Sequence, residues 1–139
     1  MLENTGFGRS VEMLQRSMDV SLLRRDVIAN NIANADVPNY KRSVINFEAT
    51  LSRAVEAEDL QPRLLLATTD ERHISNDRQT DWRSVQPRRV LDYLSTEKNN
   101  GNNVNPEEEF MDAMTNQLTY SLMTQAVNFE FNQVNLVLR

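Results

Sequence analysis

The sequence predicts a mainly α protein. Long N- and C-terminal helices pair as a coiled coil around a small irregular middle segment, which holds a short helix and a candidate β-hairpin. Three observations carry that expectation. Apolar residues recur at helical spacing from Phe7 to Ile32. A strong helix start stands at Asn105-Pro106. No Gly and no further Pro follows Pro106 to the end of the chain.

The first helical pattern runs from about Ser10 to Ala35. Phe7, Val11, Leu14, Met18, Leu22, Ala29 and Ile32 recur at spacings of three, four and seven, which gives one apolar face. Val11, Leu14, Met18, Leu22 and Ile32 are the expected packing residues. Asp36-Val37-Pro38-Asn39 ends the helix, because Pro38 biases Val37 away from the helical region. Arg25 falls near the middle of the apolar face. Either its stem packs while its head reaches water, or it meets a carboxylate on another helix or subunit.

Residues 37–104 form the middle segment, between a first segment of 1–36 and a last of 105–139. Asn46 suits the cap of a short helix ending near Glu58, with Phe47, Leu51, Ala54 and Val55 on one side. Leu64-Leu65-Leu66-Ala67-Thr68-Thr69 reads as a strand. Two further apolar clusters surround Trp82 and Val90, Leu91, Tyr93 and Leu94. Asn99-Asn100-Gly101-Asn102-Asn103 reads as a turn or a flexible connector.

The C-terminal helix begins with its cap. Asn105 suits the N-cap, Pro106 the first helical position, and Glu108 the capping-box position. The run Glu107-Glu108-Glu109, with Asp112, reads as a solvated acidic cap that complements the positive helix end. Beyond it lie two apolar stripes. Met111, Met114, Leu118, Leu122, Phe129 and Leu136 share one side; Ala113, Tyr120, Val127, Phe131, Val134 and Leu138 share roughly the opposite side. A helix apolar on two sides needs neighbours on two sides. Met114, Leu118, Leu122 and Phe129 are the expected partners of Leu14, Met18, Leu22 and Ile32. The remaining neighbours come from the middle segment or from another copy.

Composition narrows the function. The chain has 139 residues, no Cys and a net charge of −5. Without Cys there is no disulfide scaffold, thiolate metal site or cysteine nucleophile. The acidic balance argues against a nucleic-acid partner. The negative charge is concentrated late: residues 1–46 carry +1 and residues 99–139 carry −4, which mildly favours pairing of the two ends. No run approaches the length of a membrane span, and the start lacks the pattern of a conventional signal peptide. The lone His73 excludes a His pair, and three Gly residues are too few for a phosphate-cradling fingerprint. An enzyme is therefore not expected, and neither is a cofactor or a metal ion.

The strongest local string runs from Ile28 to Lys41: Ile-Ala-Asn-Asn-Ile-Ala-Asn-Ala-Asp-Val-Pro-Asn-Tyr-Lys. Alanines let helices approach closely, and Asn side chains bond backbone at a helix end. The string reads either as a helix end with amide capping or as a junction where subunits interlock. Composition alone leaves both open.

Ala29-Asn30-Asn31-Ile32-Ala33-Asn34-Ala35, followed by Pro38-Asn39-Tyr40-Lys41-Arg42, resembles the N-terminal signature of bacterial flagellar axial proteins of the rod and hook. Gly101-Asn102-Asn103-Val104-Asn105, then Glu109-Phe110 and Asn116-Gln117-Leu118-Thr119-Tyr120, is similar to the C-terminal pattern of the proximal-rod members. Ala67-Thr68-Thr69-Asp70 through His73 also resembles a segment of that subgroup. The resemblance implies a structural subunit of the basal-body rod, exported without a cleaved signal peptide. It implies helical assembly in the periplasm with copies of itself and related rod proteins. Further implied partners are a membrane-ring adaptor protein at the rod base and the flagellar type III export apparatus. Asn30, Asn31, Asn34, Pro38 and Tyr40 become the subunit-junction candidates. The alternative is a soluble helical adaptor or secretion chaperone.

Overall fold

The computed structural model describes residues 5–59, 70, 72, 81–95 and 99–138. The strand expected at 64–69, and His73, lie outside the described residues. Among the described residues there are three α-helices and a two-stranded antiparallel sheet: α1 (Gly6–Ala33), β1 (Ser43–Asn46), α2 (Glu48–Asp59), β2 (Arg88–Leu91) and α3 (Pro106–Val137). A 3-10 turn, Trp82–Ser84, precedes β2. The chain divides into two compact units, one of residues 1–45 with 89–139 and one of residues 46–88.

The first unit is an antiparallel pair of α1 and α3. Thr5 caps α1, its hydroxyl accepting from Gly8 N at 3.2 Å. Asn105 is the N-cap of α3, its side chain accepting from Glu107 N at 3.1 Å, and Pro106 opens the helix. Gly and Pro occur in these helices only in the first turn, at Gly6 and Gly8 of α1 and Pro106 of α3, so nothing interrupts either helix along the contact.

The meeting face of α3 is not the one expected. Met114, Leu118, Leu122 and Phe129 are all exposed, by 61–66%. Of the opposite stripe, Phe131 and Leu138 stay exposed too; the covered face is made by Glu109, Ala113, Asn116, Tyr120, Met123, Val127, Glu130 and Val134, all buried or half-buried. Their spacing alternates four and three, the signature of a coiled-coil seam. On α1 the matching row is Phe7, Ser10, Leu14, Ser17, Ser21, Arg24, Ile28 and Asn31. The physical reason is size. Ala113, Ser17 and Ser21 let the backbones approach between larger seam residues such as Leu14, Tyr120 and Met123, and the Met114–Leu118–Leu122 side is left outside.

Val11, Leu14, Met18 and Ile32 are half-buried on α1, whereas Leu22 is 39% exposed and lies off the seam. Arg25 does not sit on the covered face either. It is exposed, with its Nε 3.8 Å from the neighbouring Asp26 carboxylate. Val20, Val27 and Ile28 supply the apolar burial there. Near the helix ends Phe7 and Phe131 meet edge to face, with ring centroids 5.5 Å apart.

The second unit is small. Phe47, Ala54, Trp82 and Val85 are its buried apolar residues. Phe47 takes the capping position expected of Asn46: its carbonyl accepts from Thr50 N and Leu51 N at 3.1 and 2.9 Å. Trp82 is buried, as a small-core residue should be. Val90, Leu91, Tyr93 and Leu94 of the first unit are exposed instead.

Candidate functional site

The site is the junction where α1 ends and α3 begins. α1 needs partners for its last carbonyls, because a helix leaves four of them unsatisfied. Asn34 caps it with its own backbone N–H, 3.2 Å from Asn30 O. Asn102, wholly buried, does the rest. Its Nδ2 lies 3.0, 3.0 and 2.8 Å from the carbonyls of Asn34, Ala35 and Val37, so its two protons are shared among three acceptors. Its Oδ1 accepts from Val104 N at 2.7 Å. The loop before α3 thus closes the end of α1.

Asn31 occupies the centre and is 1% exposed. Its Nδ2 donates to Ser43 O at 2.8 Å and to Glu109 Oε2 at 3.0 Å. Its Oδ1 accepts from Ser43 N at 3.0 Å and from the Tyr40 hydroxyl at 3.3 Å. All four hydrogen-bonding positions of the amide are filled. Towards Ser43 the amide behaves as a peptide group would, pairing with both the N–H and the carbonyl of one β1 residue.

Glu109 is also 1% exposed. Its Oε1 accepts from Arg42 Nε, and Arg42 reaches on to Asp112 Oδ2 at 2.8 Å and Glu108 Oε1 at 3.9 Å. Burial alone opposes the Arg42 charge. The hydrogen bond and charge of Glu109, with Glu108 and Asp112 adding theirs, outweigh it and raise the Arg42 pKa. Glu109 is therefore not part of a solvated cap, contrary to the expectation for the whole acidic run. A partner 67 residues earlier in the chain draws it inside. Glu108 stays exposed, with its Oε1 3.9 Å from Arg42.

Three further hydrogen bonds pin the loop. Asn103 Oδ1 accepts from Arg42 N at 2.6 Å, and its Nδ2 donates to Asp92 O at 2.7 Å. Lys41 Nζ donates to Gly101 O at 2.7 Å. Asn39 and Gly101 both hold positive φ, at 60° and 77°.

Of the junction residues expected from sequence, Asn31 and Tyr40 come together here. Asn34 contributes its backbone carbonyl, while its side chain bonds back to Asn30 O at 2.7 Å. Asn30 is exposed and bonds its own helix at Asp26 O, 2.8 Å away. Pro38 is exposed in the turn. Arg42, Ser43, Asn102, Asn103 and Glu109 were not expected as site residues. The amide-rich string after Gly101 was the available signal for the two Asn residues. Asn116, deep in the seam, was missed too. Its Nδ2 donates to Ser21 O at 2.9 Å and ties the two helices in register.

The polar side chains of Asn31, Arg42, Asn102 and Glu109 all bond distant parts of the chain, whereas Asn116 Oδ1 is buried without a hydrogen-bond partner. Among the described residues, no cluster of His, Cys, Asp or Glu is placed to hold a metal ion. No described helix is long and apolar enough to cross a membrane. A locked helix pair with an exposed apolar stripe is the layout of a structural subunit.

Comparison with known proteins gives that class a family. Residues 22–41 match the family described as flagella basal body rod protein. The chain is 43% identical over 133 residues to the flagellar basal body rod protein FlgB of Borreliella burgdorferi, covering 96% of this chain and 98% of that one. It is 41% identical to the FlgB of Borrelia hermsii over the same shares. The FlgB of Bacillus subtilis is 29% identical, over 95% of each chain. This chain belongs to the flagella basal body rod protein family.

Proposed function

We infer that this chain is a structural subunit of the proximal rod of the flagellar basal body, assembling with copies of itself and other rod components. The observation that carries the reading is the outer stripe of α3. Met111, Met114, Leu118, Leu122, Phe129 and Leu136 stand 61–79% exposed on a helix whose other side is already occupied by α1. A contiguous apolar row of this kind marks a protein contact. A heterologous contact repeated from subunit to subunit gives a helical array instead of a closed ring.

The chain works in the basal-body rod, in the periplasmic space, and reaches it through the flagellar type III apparatus. At the rod base it meets the membrane-ring adaptor. Asn30 and Pro38, exposed beside the locked junction, contact the neighbouring subunit. The uncharged polar residues on one side of α3, between its two apolar stripes, line the export channel. Thr115 and Thr119, one turn apart, suit that role, because their hydroxyls donate to the carbonyls one turn back at 2.9 and 2.8 Å. Such a surface is polar, yet its hydroxyl protons are already committed.

The test is Leu118→Asp in a motile cell that depends on this protein. The purified variant keeps the circular dichroism and thermal midpoint of the parent, while rods fail to form and swimming is lost. Normal swimming with the variant overturns the assignment of the stripe.

A further inference from the structure

We propose that Asn100 is a self-modification site, where the side-chain amide is converted to a carboxylate through a cyclic imide formed with Gly101. The chain has sixteen Asn, and Asn100-Gly101 is its one Asn-Gly step. Asn100 is exposed at the tip of the junction turn. Its Oδ1 accepts from Asn102 N at 3.1 Å. That bond folds the side chain back over the peptide unit between them and brings Cγ towards Gly101 N. It also polarises the amide carbonyl in the direction that favours attack at Cγ. Gly101 has no Cβ to shield its nitrogen. Among the described residues, the Gly101 N–H donates no hydrogen bond. The nucleophile is free and the electrophile is held beside it, the arrangement that turns orientation into rate.

The steps balance without an oxidant or a reductant. Hydroxide takes the Gly101 N–H proton. The nitrogen attacks Asn100 Cγ; the N–Cγ bond forms, the Cγ–Nδ2 bond breaks, and the departing nitrogen takes a proton from water, so that ammonia leaves and hydroxide is regenerated. Water then adds to one carbonyl of the five-membered imide and opens it. Opening on one side leaves Asp. Opening on the other leaves an isoaspartyl link, in which the main chain runs through the side-chain carbon.

The site is placed where the product has an effect. Asn100 O accepts from Asn39 N at 3.0 Å, and Gly101 O accepts from Lys41 Nζ at 2.7 Å. The next residue is Asn102, the buried cap of α1. An isoaspartyl link lengthens the main chain between these anchors and displaces the cap. The modification therefore marks an old subunit at its junction. Asn102 and Asn103 serve as internal controls, being buried and not followed by Gly.

The experiment is incubation of the full folded chain over a series of mildly alkaline buffers, followed by peptide mass mapping. The expected result is replacement of NH2 by OH at Asn100 ahead of every other Asn, at a rate proportional to hydroxide, with isoaspartate detectable by its methyltransferase. Asn100→Gln, which needs a larger ring, loses the change at this position. An intact Asn100 in the folded chain, under conditions where the urea-unfolded chain converts it, overturns the proposal. So does unchanged acid formation in the Asn100→Gln variant.

Discussion

Asn31 and Glu109, 78 residues apart in the chain, share a buried hydrogen bond of 3.0 Å between Nδ2 and Oε2. That bond joins the last turn of α1 to the first turn of α3. It is one edge of a closed circuit, Asn31–Glu109–Arg42, with Ser43 following Arg42 and returning to Asn31. Each member fixes the rotamer of the next. The circuit sets where α3 starts relative to the end of α1, and so which stripe of α3 is left facing outwards.

Asn31→Ala removes the group that pairs with both the N–H and the carbonyl of Ser43. Two buried backbone groups then lose their partner, at a cost of about 1–3 kcal/mol. Asn31→Asp has nearly the same size, yet it replaces the donor facing Glu109 with a second carboxylate. Denaturant titration should therefore place Asn31→Asp no higher than Asn31→Ala, despite its better fit. A fully stable Asn31→Asp would show that the amide proton to Glu109 carries nothing.

Glu109→Ala leaves the Arg42 guanidinium largely buried with only Asp112 and the more distant Glu108 to answer it. The expected loss is about 3 kcal/mol, the lower end for a broken buried pair because Arg42 keeps some solvent. Replacing both, Arg42→Met with Glu109→Met, should recover part of that loss. A double-mutant cycle on chemical denaturation reads the coupling directly.

Ala113 and Met114 are neighbours in sequence and opposites in role. Ala113→Leu inserts volume into the seam and should cost about 1–3 kcal/mol. Met114→Ala removes an exposed side chain and should change stability by less than about 0.5 kcal/mol. The reverse order would be expected had the large apolar stripe been the packing face. Thermal midpoints of the two purified variants decide it.

The two-sidedness of α3 was legible in the sequence, because periodicity sorts residues by angle whatever they touch. Which side meets α1 was not legible. Hydrophobicity ranks Leu118 and Leu122 above Ala113 and Asn116, whereas close helix packing favours the smaller side chains. The caps at Asn105 and Pro106 could be read locally, since their partners lie within one turn. Glu109 could not: its neighbours in sequence are acidic and solvated, and Arg42 is brought to it only by the fold. The same holds for Asn102, whose amide-rich surroundings suggest a turn without naming the α1 carbonyls it caps.

Gly101 holds φ at 77°, and a Cβ there would lie 2.7 Å from Asn39 Oδ1. Gly101→Ala therefore meets both backbone strain and a clash, for about 1–2 kcal/mol from the backbone alone. Asn39, itself at φ 60°, is the atom source of the clash. Asn39→Gly frees that space and relaxes a second left-handed residue. The pair Asn39→Gly with Gly101→Ala should then be more stable than the sum of the single effects predicts, a coupling that denaturation curves can measure.

Asp92 sets an acid limit on the loop that Asn103 grips. Its Oδ2 accepts from the Ser95 hydroxyl at 2.6 Å, and its Oδ1 from Leu94 N and Ser95 N at 2.9 and 3.3 Å. The Ser95 hydroxyl bond, then the two backbone bonds, hold the carboxyl below its ordinary value of 3.8. A carboxylate whose folded pKa is depressed stabilises the fold above its unfolded pKa, and that contribution is lost as pH falls through the folded value. Ser95 Oγ in turn accepts from Asn103 Nδ2 at 3.1 Å, so protonation of Asp92 loosens the hydroxyl that Asn103 uses. The Leu94 and Ser95 amide resonances should shift together below pH 3.8, with Asn103 Nδ2 following. In Asp92→Asn the same resonances should lack that acid transition. If it persists there, another carboxylate governs the loop.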